Sequence, residues 1–111
     1  MNLRPDPTFY ATPKLAMEAA VEKLAFTLML SPDGSKPDGL AVVDVDPDSN
    51  TYSQIVHELY VPNLGDEFHH FGWNACSSCF DDGSMSRKYL LLPGVRSNNI
   101  HIVDTATRSE E

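Results

Sequence analysis

Y-S-Q-I-V-H-E-L-Y-V, Tyr52 to Val61, is the run whose reading decides the fold. Ile55, His57, Leu59 and Val61 alternate with Val56, Glu58 and Tyr60, so the two sets take opposite faces of an extended chain. That two-residue alternation is the period of a strand. This is a strand, and Pro62 is expected to end it.

Working back from it, Asp46-Pro47-Asp48-Ser49-Asn50 is a turn cluster, and Leu40 to Val45 (L-A-V-V-D-V) reads as a strand before that turn. Ser31 to Gly39 carries two Asp-Gly pairs and two prolines and reads as a loop. Leu24 to Leu30 is a compact apolar run that reads as a buried strand, although periodicity alone leaves a helix continuing from Glu22 open. Lys14 to Lys23 is rich in helix formers, with Thr12 placed to cap it and Pro13 at the first helical position. That short helix needs something to dock on. Met1 to Pro13 reads as an extended arm. Working forward, Lys88 to Leu92 reads as a fourth strand closed by Pro93-Gly94, Asn99 to Asp104 as a fifth, and Thr105 to Glu111 as a polar tail.

Strands at this spacing predict an all-β sandwich, barrel or propeller. Leu40 to Asp46 and Asn99 to Thr105 resemble one another, each an apolar strand ending in Val-Asp, which hints at a repeat. The chain has 111 residues, one domain's worth. A propeller closes with about four to eight four-stranded blades, and this chain can supply little more than one. It is a small sandwich or a piece of something larger.

Composition narrows the function. Asp and Glu number 16 against 8 Lys and Arg, a net charge of −8, which argues against nucleic acid because phosphate binding needs a basic patch. No apolar run reaches the length of a membrane span. The opening M-N-L-R-P-D-P is not a signal peptide, so a cytoplasmic location is expected. In that compartment the two cysteines read as redox, metal or metalloid chemistry rather than as a structural staple.

The chemistry is concentrated in Asp66 to Phe80, D-E-F-H-H-F-G-W-N-A-C-S-S-C-F. Gly72 and Asn74 interrupt any helix there, so a shaped loop is expected. His69 and His70 each offer a nitrogen to a metal, while Cys76 and Cys79, spaced C-x-x-C, can form a disulfide or hold a soft ion. Adjacent residues on a regular strand point to opposite faces, so sharing one ion requires an irregular backbone before Gly72. One ligand supported by its neighbour is the alternative. Phe68, Phe71, Trp73 and Phe80 read as core. Asp66 and Glu67 read as solvated loop acids, either able to orient a ligand histidine. His57 and His101 read as packed or surface residues on strands.

H-H-F-G-W-N-A-C-S-S-C at His69 to Cys79 closely resembles the selenium-binding protein family, whose characterised members act as methanethiol oxidases. F-Y-A-T-P at Phe9 to Pro13, A-V-V-D-V-D-P at Ala41 to Pro47 and V-P-N-L-G-D-E at Val61 to Glu67 carry the same resemblance. It covers the chain from Thr8 to Asp104 and matches the N-terminal part of the family. The resemblance implies a seven-bladed β-propeller, of which residues 1–111 would form about one to one and a half blades. It implies oxidation of methanethiol by oxygen to hydrogen sulfide, formaldehyde and hydrogen peroxide, with copper as the metal. By the same resemblance Cys76 is the selenium-associated cysteine and the catalytic thiol, and His69 and His70 are metal ligands. Cys79, present in some relatives and absent from others, is a secondary selenium site. Further histidine motifs, and the remaining blades, are expected beyond Glu111 or in a partner chain. A chain of this length is then expected to be inactive alone. The other reading is a carrier that holds selenium through Cys76 without turnover.

Overall fold

The computed structural model describes residues 12–74 and 88–105. Six strands and one helix are present among them: α1 (Pro13–Met17), β1 (Leu24–Met29), β2 (Pro37–Asp44), β3 (Ile55–Leu64), β4 (Gly72–Trp73), β5 (Tyr89–Pro93) and β6 (Ile100–Asp104). They form two three-stranded sheets, β1-β2-β3 and β4-β5-β6. The architecture is all-β and consistent with part of a β-propeller. Residues 21–70 and 92–101 make one compact unit; the described residues 12–20, 71–74, 88–91 and 102–105 belong to a second.

In the first sheet all neighbours are antiparallel, with Leu24 opposite Asp44 and Met29 opposite Gly39 on one side of β2, and Leu40 opposite Leu59 on the other. As the middle strand, β2 is the most enclosed; Leu40 and Ala41 are buried within it. Along β3 the alternation read from sequence holds. Val56, Glu58 and Tyr60 are exposed, while His57 and Leu59 are half-buried and Val61 is buried. Ile55, at the start of the strand, is exposed as well.

Five expectations need correcting. The strand over Leu24 to Leu30 is not buried: no residue of β1 is, and Leu24 and Leu30 are exposed. β3 does not stop at Pro62 but runs to Leu64. It lies at the sheet edge, where a residue without an N–H costs no ladder bond. β2 begins at Pro37 rather than Leu40, so the second Asp-Gly pair lies in a strand instead of a turn. Gly39 is there because the chains come close. A Cβ at that position would sit 2.5 Å from the Leu59 carbonyl oxygen. The helix spans five residues rather than ten. Thr12 Oγ1 caps it as expected, accepting from the Leu15 N–H at 3.3 Å, but none of its residues is buried, and without docking so short a helix does not propagate. Finally, the expected loop after Asn63 contains a two-residue strand, β4, paired with β5 through Gly72–Leu91 and Trp73–Leu90.

The two resembling segments hold different places. Leu40 to Asp44 is central in its sheet, whereas Ile100 to Asp104 is an edge strand with Ile100 and Ile102 exposed.

Candidate functional site

The chain reaches the chemistry-bearing stretch through a sharp corner. Gly65 at φ 71° and Glu67 at φ 55° both take the left-handed conformation, which turns the chain out of β3. Glu67 has a Cβ and adopts this conformation at a cost, so its neighbours must hold it. They do. The Glu67 carbonyl accepts from Val95 N–H at 3.0 Å, and the Asp66 carbonyl accepts from Arg96 N–H at 3.2 Å. Gly94 allows this approach; a Cβ there would lie 2.8 Å from the Asp66 carbonyl oxygen and 2.5 Å from Ser97 Oγ.

Asp66 is not the solvated acid that its loop position suggested. It is fully buried. Asn99 Nδ2 donates to Oδ1 at 3.2 Å, and His101 Nε2 lies 3.0 Å from Oδ2. Burial is the largest single influence on this group and pushes its pKa up; the bonds from Ser97, Asn99 and His101 together outweigh it and hold the carboxyl below the usual range. The histidine that this acid engages is His101, not the doublet. Sequence reasoning placed His101 on a strand and stopped there. The signal available was the period of two, which puts Asn99 and His101 on the same side of one extended segment.

Two residues further on, Phe68 is the second fixed point, with 1% of its surface exposed. It bridges to Gly94, and its N–H donates to Asp38 Oδ2 at 3.2 Å. Asp38 is itself buried and also accepts from the Ser31 N–H, so one carboxylate satisfies two backbone donors. The ring of His101 meets the Phe68 ring edge-on, 5.5 Å between centroids at 80°. Full burial of a phenylalanine is worth about 2–3 kcal/mol, which makes Phe68 a firm anchor. As expected it is core; Phe71 and Trp73 are half-buried.

His69 and His70 follow directly and are both exposed. His69 N–H donates to the Pro93 carbonyl at 3.4 Å, the last backbone tie before the rings emerge. Neither histidine is in a strand, so the alternation of faces does not apply. Their ring centroids are 5.8 Å apart, at 39° between planes. Two imidazoles sharing one ion through metal–nitrogen bonds of about 2.0–2.1 Å hold their centroids roughly 5–6 Å apart. The separation of the two rings lies within that range, and imidazole suits copper. Among the described residues no group of three His, Cys, Asp or Glu side chains gathers to hold a metal. Cys76, Cys79 and Phe80 lie outside the described residues.

No helix among the described residues is long and apolar enough to cross a membrane.

Comparison with known proteins agrees with the motif. The chain is 53% identical over 100 residues to selenium-binding protein 2 of Arabidopsis thaliana, covering 88% of this chain and 20% of that protein. It is 47% identical over 100 residues to methanethiol oxidase of Bos taurus, covering 88% of this chain and 21% of the relative. Among solved structures it is similar to the X-ray structure of a hypothetical selenium-binding protein from Sulfolobus tokodaii, with a TM-score of 0.84 and 47% identity over 95% of this chain and 24% of that one. The chain thus spans about a quarter or less of the length of these relatives. Residues 3–111 match the family described as 56kDa selenium binding protein (SBP56), and the chain belongs to that family.

Proposed function

We propose that this chain forms one part of a methanethiol oxidase, with His69 and His70 as metal ligands, copper as the metal and Cys76 as the reactive thiol. The observation that carries the reading is the doublet itself. Two exposed imidazoles at 5.8 Å leave a segment whose preceding residues, Asp66 and Phe68, are buried and bonded. Relatives named methanethiol oxidase support the activity.

His69 and His70 would hold the metal through their ring nitrogens. Cys76 acts as thiolate, with Cys79 as its companion for selenium. Copper, when bound, supplies the one-electron chemistry that oxygen requires. In the overall reaction one methanethiol, one oxygen and one water yield one hydrogen sulfide, one formaldehyde and one hydrogen peroxide. The methyl carbon loses two electrons and oxygen accepts them. The remaining propeller blades come from further polypeptide, in the same chain or a partner, and the reaction takes place in the cytoplasm. The 111 residues alone then give no turnover.

The test is a chimaera in which these residues replace the matching segment of a full-length methanethiol oxidase. Copper-dependent release of sulfide and peroxide, lost in His70→Ala, supports the oxidase. Selenite labelling that disappears in Cys76→Ser, in a folded chimaera without turnover, assigns the carrier role instead.

A further inference from the structure

His101 belongs to no part of the proposed chemistry, yet it touches both residues that fix the corner. Its Nε2 is 3.0 Å from the buried Asp66 carboxylate, and its ring packs edge-on against Phe68 at 5.5 Å. Its side chain keeps 20% of its surface exposed while that of Asp66 keeps none. Asp66 and Phe68 have other side-chain partners: Asn99 bonds Asp66, and Asp38 bonds the Phe68 N–H. Gly94 lies against both, but through its backbone alone. His101 is the described side chain seen to span the two. Between them stands Glu67 in its left-handed conformation, a backbone setting that relaxes if the flanking residues are released.

We infer that His101 is a positioning residue for the His69–His70 doublet: by clamping Asp66 to Phe68 it fixes the direction in which the two imidazoles leave the scaffold. The inference rests on the reading of the doublet as a metal site only for its consequence; the clamp itself exists without metal.

Copper(II) alone is the probe, titrated into the folded chain and three variants and followed by electron paramagnetic resonance. In His101→Leu, copper affinity falls about tenfold and the spectrum changes, as when a group orienting a ligand is removed. In His101→Gln, which restores an N–H for Asp66, both return toward the parent. Asn99→Ala takes a bond from the same carboxylate without touching Phe68; it lowers stability and keeps the copper spectrum. A folded His101→Leu variant with unchanged affinity and spectrum overturns the inference, as does an equal loss in Asn99→Ala. Where His101→Leu does not fold, His101→Phe takes its place: it keeps a ring against Phe68, breaks the tie to Asp66 and is expected to change the spectrum while Asn99→Ala does not; an unchanged spectrum overturns the inference.

The metal reading fails separately. If the doubly substituted His69→Ala/His70→Ala chain binds copper as tightly as the parent, the doublet is not the site. The clamp is then read in the metal-free chain from amide order parameters at His69 and His70. They fall from about 0.85 toward 0.6 in His101→Leu and recover in His101→Gln; unchanged values refute it.

Discussion

Asp44 and Asp66 are both buried carboxylates held below their usual pKa, and the contrast between them explains how the molecule is organised. Asp44 closes a turn on itself. It accepts from Thr51 Oγ1 at 2.6 Å and Asp46 N–H at 2.9 Å, with Ser49 as the strongest influence on its pKa, all within seven residues. Asp66 instead gathers partners 33 and 35 residues away, Asn99 and His101. The first residue shapes a hairpin. The second ties two distant stretches into the corner from which the histidine doublet emerges. The first cap is local and the second is long-range.

The largest expected effect comes from breaking the long-range cap. Asp66→Ala leaves the side chains of Asn99 and His101 without their partner and costs about 3 kcal/mol, measured by urea unfolding. A loss no greater than that of Asp44→Ala would erase the distinction between the two acids. Next is Gly94→Ala, whose Cβ meets Asp66 backbone and Ser97 Oγ; overpacking of this kind costs about 2 kcal/mol. Thr51→Val sharpens the comparison from the other side. It weakens the Asp44 turn, lowers stability less than Asp66→Ala, and leaves amide exchange at His69 unchanged. Acid affects both sites in one direction. Because the folded pKa values of Asp44 and Asp66 are lowered, their contribution is full above the ordinary carboxylate value near ~3.9 and is lost as pH falls through the lowered folded values. Asp66→Asn flattens the part of that slope due to the corner. The smallest effect is Arg96→Ala. Arg96 pairs with Glu67 at 2.9 Å but is 72% exposed, and its removal changes stability by about 0.5 kcal/mol or less.

The same contrast separates what was legible in the sequence from what was not. The Asp46 to Asn50 turn, the alternation of β3 and the Thr12 cap were readable because their partners lie within a few residues. Pro62 misled because its tolerance depends on being at a sheet edge, which only pairing reveals. Gly39 read as a turn residue; what requires it is the Leu59 backbone twenty residues away. Asp66 read as solvated because nothing near it in sequence can bury it. Its partners sit beyond the whole cysteine-bearing stretch, and no local pattern couples Asp66 to His101. His69 and His70 were found by their chemistry and by family resemblance. Their exposure, and the buried pegs beside them, came from the fold.

The central proposal is that an anchored corner presents two imidazoles to one soft ion. X-ray absorption at the copper edge, on the copper(I)-loaded chain, tests it most directly. Scattering from two imidazoles is expected, with that signal lost in His69→Ala/His70→Ala. A copper site that shows no imidazole scattering, or that survives the double substitution unchanged, contradicts it.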